Sequence, residues 1–241
     1  MFDGMKIICI APCYNELYKI DKVIIRTQET GIVDQVLVID DGSSDGSPDK
    51  AEALGAIVIH LQKTMGVGFA IIKGIEYAIK NKFDIIVIIA GNNKDDPSEI
   101  IRLISPITRE GYDFVQGSRF KRGGRYGKMP LYRVISTKII HPFLFSIVSG
   151  TWITESTNGF RAFKASIFSD NRIDIWQKWL YEYELEPYLY YKVIKLGYKT
   201  TEVPVTKIYP PKKIGYTKMK PITGWWSILR PLLLLGLGLR K

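Results

Sequence analysis

Short runs rich in Ile and Val punctuate the first half of the chain, at 6–11 (KIICIA), 35–40 (QVLVID), 56–60 (AIVIH), 84–90 (DIIVIIA) and 112–117 (YDFVQG). Nearly unbroken apolar runs of this length read as strands covered on both faces. The segments between them predict helices at about 17–30, 47–54, 66–81 and 97–109. Pro97 suits a first helical turn, with Asp95 or Asp96 available as the cap. Strand and helix in alternation predict βαβ units and a mostly parallel sheet flanked by helices, an α/β fold. After residue 120 the alternation becomes irregular, with a helix near 130–148, a strand near 160–164, a helix at 181–196 and a strand at 200–205. In open sheets of this kind ligands bind at the C-terminal ends of the strands, so the loops there are where chemistry is expected.

Composition narrows the class. The 241 residues are 46% hydrophobic and 24% charged, which excludes disorder, and no Pro/Ser/Gly linker divides them. Cys9 and Cys13 are too few for a disulfide framework and read as free thiols of a reducing cytoplasm. The first residues show no basic stretch leading into a long apolar run, so no signal peptide is expected. The net charge of +10 is unevenly placed: Phe114–Thr154 holds seven basic residues and no acid, and Val203–Lys241 holds eight and no acid. An acidic body thus carries two basic segments, which attract phosphates of nucleotides, lipids or nucleic acid. No helix-turn-helix, zinc or RNA-recognition signature accompanies them, so nucleic acid is not expected.

The loop after the first run reads Ala11-Pro12-Cys13-Tyr14-Asn15-Glu16, and that after the second reads Asp40-Asp41-Gly42-Ser43-Ser44-Asp45-Gly46. Carboxylates at strand ends can accept from ribose hydroxyls or base N–H groups, and an aromatic can stack on a base. Asp-Asp-Gly-Ser alone fits an Asx turn and helix cap equally well. Further along come Gly66-Val67-Gly68-Phe69-Ala70, Gly117-Ser118-Arg119, Asn158-Gly159-Phe160-Arg161, Gly197-Tyr198 and Glu202-Val203-Pro204. In that order, over nearly the whole chain, the set resembles family 2 glycosyltransferases of the GT-A fold. The Gly-Tyr and Glu-Val-Pro pieces resemble dolichyl-phosphate mannose synthase and related polyprenyl-phosphate glycosyltransferases. The resemblance implies a GT-A (Rossmann-like, mostly parallel) sheet and a nucleotide pocket formed by Pro12, Tyr14, Glu16, Asp40 and Asp41. Gly68 joins them as the glycine that eases close backbone packing where a helix begins.

One departure from that family is plain. Asp-x-Asp is its usual motif at the end of the fourth strand, where carboxylates hold Mg²⁺ or Mn²⁺ against the diphosphate. This chain has Ala90-Gly91-Asn92 there, followed by Asn93-Lys94-Asp95-Asp96. Three explanations stand open: a metal held by Asn92, Asp95 or Asp96; Lys94 as the counter-charge of the diphosphate; or a catalytically silent nucleotide-binding or membrane-adaptor protein. Asn92, Lys94 and Asp95 are accordingly the expected catalytic positions, with Asn92 also touching the nucleotide sugar.

For the acceptor, a hydroxyl needs a carboxylate base, for which Glu184 or Glu155 are candidates, whereas a lipid phosphate is already an anion and needs none. By resemblance Arg119 and Arg133 contact the acceptor phosphate, and Arg161 is placed with them. Guanidinium pairs phosphate through two parallel hydrogen bonds. His60 and His141 show no ligand spacing and read as structural. The stretch Trp225–Leu239 is too short to span a bilayer and carries Arg230 and Pro231, so it reads as amphipathic helix lying in the membrane interface. The expected organisation is a GT-A domain over 1–220, with a nucleotide-sugar half at 1–118 and an acceptor half at 119–220, and a membrane-interface tail at 221–241. The expected activity is inverting transfer of a sugar from a UDP- or GDP-linked donor to a polyprenyl or dolichyl phosphate at the cytoplasmic face of an anionic membrane, with a separate integral membrane partner a possibility. Transfer to a sugar hydroxyl in polysaccharide synthesis is the alternative.

Overall fold

In chain order the elements are β1 (Ile7–Cys13), α1 (Ile20–Gln28), β2 (Gln35–Asp40), α2 (Ser47–Ala53), β3 (Ile57–His60), α3 (Val67–Lys80), β4 (Ile85–Ile88), α4 (Ile100–Glu110) and β5 (Phe114–Ser118). These come from a computed structural model that describes residues 1–210 and 223–240. The second half follows with β6 (Arg125–Gly127), α5 (Leu131–Ile135), α6 (His141–Ser149), β7 (Arg161–Lys164), α7 (Leu185–Lys195), β8 (Thr200–Pro204), β9 (Thr206–Ile208) and α8 (Thr223–Gly236).

Seven strands form one sheet in the order β3-β2-β1-β4-β7-β5-β8. β1, β2, β3 and β4 are parallel neighbours, as is the β5–β8 pair, while β7 runs antiparallel between β4 and β5. The central strands β1 and β4 are buried on both faces, which is why their sequences are continuous Ile and Val rather than alternating. On one face Ile10, Ile39 and Ile88 pack against α3 and α7 through Ile75, Tyr188 and Val193; on the other Cys9, Val38 and Val87 pack against α1 and α4 through Ile24, Leu103 and Ile107.

Most expected elements are present, with two differences. Of the two caps offered for the turn at Pro97, Asp96 serves, its carboxylate accepting from Ser98 N–H at 3.1 Å. The helix expected at 181–196 is helical only from Leu185, because residues 178–184 turn to pack on the start of α3. The short ladder between β6 and β9 was not foreseen; both strands are three residues long and polar at most positions.

The helix expected near 130–148 is α5 and α6, joined by a π-helical turn over Ser136–Ile140. Its solvent face carries Leu131, Ile135, Ile139, Phe143 and Ile147, every fourth residue and all exposed. α8 docks on the body through buried Ile228, Leu232 and Leu235, against α6 and α7, and leaves Trp226 and Leu233 exposed. His141 ties these pieces together: Nδ1 lies 2.5 Å from Ser156 Oγ and Nε2 is 3.2 Å from the Ile228 carbonyl. The basic residues Lys212, Lys213, Lys218, Lys220 and Lys241 lie outside the described residues.

Candidate active site

The C-terminal ends of β1, β2 and β4 open on a cavity of about 480 Å³. Pro12 lines it from the end of β1, Tyr14 and Glu16 from the loop that follows, Asp41 from the loop after β2, and Asn92 and Lys94 from the loop after β4. The facing wall comes from the second half of the chain: Arg119, Arg133, Glu182, Glu186, Lys207 and Tyr209. Trp225 and Ile228 of α8 complete it. The volume falls within the usual range for small-molecule sites.

The first two loops hold each other in place. Asn15, in the left-handed region at φ 51°, donates its N–H to Ser43 Oγ at 2.9 Å and accepts from Ser44 N–H at 2.8 Å through its side chain. Glu16 N–H donates to Ser47 Oγ at 2.7 Å, and the Glu16 carboxylate pairs with Lys19. Asp40 and Asp41 have different tasks. Asp40 closes the Asx turn by accepting from Ser43 N–H at 3.0 Å and does not line the cavity. Asp41 does line it, while its two oxygens accept from Met65 N–H at 2.7 Å and Gly66 N–H at 3.0 Å. Burial pushes the Asp41 carboxyl up and the neighbouring Asp40 adds to this, against the two N–H bonds.

Gly66 and Gly68 leave room for a neighbouring segment of the chain. A Cβ on Gly68 would lie 2.0 Å from the Leu180 carbonyl oxygen, and one on Gly66, at φ +105°, 2.4 Å from that of Tyr181. The two glycines let α3 press against residues 180–182, which carries Glu182 into the cavity; Gly68 itself does not line it.

The end of β4 differs most from expectation. Lys94 N–H donates to Asn92 Oδ1 at 3.3 Å, and the Lys94 carbonyl accepts from Ile208 N–H at 2.8 Å. Asp95 is buried and outside the cavity lining, with both carboxylate oxygens on Lys207 Nζ at 2.6 and 2.9 Å; Lys207 also donates to Asn158 Oδ1 at 3.0 Å. Asp95 is therefore an internal counter-ion, not the presented ligand expected of it. Asp96 takes Arg26 Nη2 at 2.5 Å in addition to its cap. Lys94 keeps its ammonium 4.5 Å from the centroid of the Tyr209 ring, and the Arg133 guanidinium lies 5.6 Å from that centroid. Burial, then repulsion from Lys207 and Arg133, draws the Lys94 ammonium down to about 7.

The acceptor-side expectations divide likewise. Arg119 lines the cavity, but its Nε lies 2.8 and 3.0 Å from the Glu155 oxygens, its Nη2 is bonded to Oε1, and its backbone N–H donates to Oε2 at 2.7 Å. Burial opposes the charge of Arg119, yet Glu155 raises it above the ordinary arginine value. Arg161 is buried away from the cavity, donating to the carbonyls of Asn158 at 2.7 Å and Glu186 at 2.9 Å, so it fastens β7 to the start of α7. Glu184 is also outside the cavity, paired with Arg230 of α8 at 2.7 Å; burial pushes its carboxyl up. Glu155, the other base candidate, is fully buried on Arg119. The carboxylates that do face the cavity on this side are Glu182 and Glu186. Sequence reasoning missed Lys207 as a cavity residue and Tyr209 altogether. Their only signal was a basic, aromatic stretch after the Glu-Val-Pro strand, which says nothing of its crossing to the loop after β4.

A family model described as Glycosyl transferase family 2 matches residues 8–172. The chain belongs to glycosyl transferase family 2. It is a glycosyltransferase whose architecture is that of the GT-A class. This family 2 chain is 27% identical over 222 residues to the undecaprenyl-phosphate mannosyltransferase of Micrococcus luteus, a match covering 89% of the chain and 88% of the relative. It is 25% identical over 216 residues to the polyprenol monophosphomannose synthase of Mycolicibacterium smegmatis, covering 87% and 79%. Its fold is similar to glucosyl-3-phosphoglycerate synthase from Mycobacterium tuberculosis, crystallised with Mn²⁺, uridine diphosphate and glucosyl-3-phosphoglycerate, with a TM-score of 0.70, 19% identity and coverage of 99% and 82%.

Proposed function

We propose that this family 2 glycosyltransferase moves a sugar, with inversion, from a nucleotide diphosphate sugar to a polyprenyl phosphate at a membrane surface. The observation that carries the reading is the polarity of the cavity. Pro12, Tyr14 and Asp41 at one side suit a base and ribose, and Lys94, Arg133 and Lys207 at the other suit phosphate. The names of the relatives point the same way, since both act in polyprenyl-phosphate mannosyl chemistry.

The cavity wall and the exposed apolar stripe are the same helices. Arg133 and Thr137 face the cavity from α5 and its π turn, while Leu131, Ile135, Ile139, Phe143 and Ile147 face outward. By length and composition the stretch Leu131–Ser149 is sufficient to cross a membrane. Its cavity-facing cation supports the other arrangement, a helix lying in the interface with its apolar side in lipid. A polyprenyl phosphate would then keep its tail in the bilayer and bring its phosphate to Arg133.

In the reaction an oxygen of the acceptor phosphate forms a bond to the anomeric carbon as the bond from that carbon to the diphosphate oxygen breaks. The electron pair leaves with the nucleoside diphosphate. The attacking phosphate is already ionised near neutral pH, its second pKa being about 6, so no base must remove a proton. Glu182 and Glu186 in the cavity favour a sugar hydroxyl as the second reading, because that acceptor would need a carboxylate base. The test is nucleoside diphosphate release from UDP- and GDP-sugars, with a short-chain polyprenyl phosphate or an oligosaccharide added. Release that depends on the lipid phosphate is expected; release driven only by the oligosaccharide transfers the assignment to the second reading.

A further inference from the structure

The end of β4 is a poor site for a divalent cation. Mg²⁺ and Mn²⁺ take hard oxygen ligands, carboxylates above all. Position 90 offers a methyl group, and Asn92 Oδ1 is engaged by Lys94 N–H. Both oxygens of Asp95 are on Lys207, and Asp96 holds Arg26 and Ser98. Among the described residues no three His, Cys, Asp or Glu side chains cluster as a metal site. The donor set does not fit the ion that this family's motif implies.

A lysine stands there instead. Of the cavity's cations, Lys19 is matched by Glu16, Arg119 by Glu155 and Lys207 by Asp95. Lys94 forms no ion pair among the described residues, and the ring of Tyr209 is the face against which its ammonium rests. Its backbone is pinned on both sides, by Asn92 and by β9, so the side chain starts from a fixed point at the mouth of the strand. Lys207 and Arg133 line the cavity with it, giving a cationic wall in which Lys94 is the member set at the end of β4.

We propose that Lys94 supplies to the donor's diphosphate the positive charge that a bound divalent cation would otherwise supply, so that transfer by this protein needs no metal. The proposal rests on the reading of the donor as a nucleotide diphosphate sugar. As the anomeric carbon–oxygen bond breaks, the leaving diphosphate gains one negative charge, and an ammonium held at that oxygen is stabilising most at that moment. Lysine serves here as a compact point charge, the role in which it commonly binds phosphate.

The experiment is calorimetric binding of UDP and of GDP to the full chain in excess EDTA and in Mn²⁺, with nucleoside diphosphate release measured alongside. Wild-type affinity and turnover are expected to be the same in EDTA as in Mn²⁺. Lys94→Ala should weaken diphosphate binding about 10- to 100-fold, as loss of a charge-assisted bond implies, while changing nucleoside monophosphate binding much less. Lys94→Gln, closer in shape, serves if the alanine variant does not fold. Adding Ala90→Asp and Asn92→Asp to the lysine variant should restore binding only with Mn²⁺. Wild-type binding that vanishes in EDTA and returns with Mn²⁺, or a lysine variant that binds like wild type, overturns the assignment. Failure of either nucleotide to bind in any buffer overturns the donor reading beneath it.

Discussion

Replacing Glu155 by Gln tests whether Arg119 is a buried structural cation or a phosphate receptor held ready for substrate. The Arg119 and Glu155 side chains are 3% and 0% exposed, and the carboxylate meets three donors of this one residue, backbone N–H, Nε and Nη2. Glutamine keeps the shape but presents one oxygen and an amide NH₂, which would face a guanidinium donor. Removing one member of a buried pair costs about 3–5 kcal/mol, because the remaining charge is left uncompensated. At roughly 2–4 °C per kcal/mol for a domain of this size, the melting temperature should fall by about 6–20 °C. Urea unfolding followed by Trp fluorescence measures the loss directly. Arg119→Met should be similarly costly, and the double variant Glu155→Gln/Arg119→Met should recover part of the stability, since neither charge then remains buried. A loss below about 1 kcal/mol for Glu155→Gln, or double-variant losses that simply add, would refute the picture of a dry, mutually dependent pair. Arg119 would then be solvated enough to serve substrate.

His141 gives a pH dependence with a definite sign. Burial holds the ring down at about 4, below the ordinary value near 6.5, so the fold retains the neutral form. Its contribution is fully present above pH 6.5 and is lost as pH falls toward 4, by about 2 kcal/mol between pH 7.5 and 5. The difference between wild type and His141→Gln in urea midpoint should shrink over that range; a constant difference refutes it. Gly68→Ala should abolish the α3 contact with residues 180–182, since its Cβ would lie 2.0 Å from a carbonyl oxygen, and unchanged solubility and melting would contradict that close approach. Ile139→Glu with Ile147→Glu, both on the exposed stripe, should reduce sedimentation with anionic vesicles while leaving nucleotide binding intact; full vesicle binding would remove the apolar helix from the membrane reading.

The strand runs were legible because a strand buried on both faces can tolerate little but Ile and Val, and β1, β2 and β4 lie where those runs predict. The loops after β1 and β2 were legible too, since Asp-Asp-Gly-Ser and Pro-x-Tyr-Asn-Glu carry their chemistry in adjacent residues. Sequence could say that Asp40, Asp41, Asp95, Glu155 and Glu184 were acids near a site, but not which of them faced it. That depends on partners far along the chain: Lys207 neutralises Asp95, Arg119 neutralises Glu155, and Arg230 holds Glu184, across separations of 112, 36 and 46 residues. A side chain's role follows from what meets it in space, and no local pattern records such meetings. The position of Lys94 at the end of the fourth strand was legible, but only the tertiary structure sets its ammonium in the cavity against the ring of Tyr209, which comes from far along the chain. The outward stripe of α5 and α6 was invisible for a related reason: an apolar helix reads as core until packing leaves one of its faces uncovered.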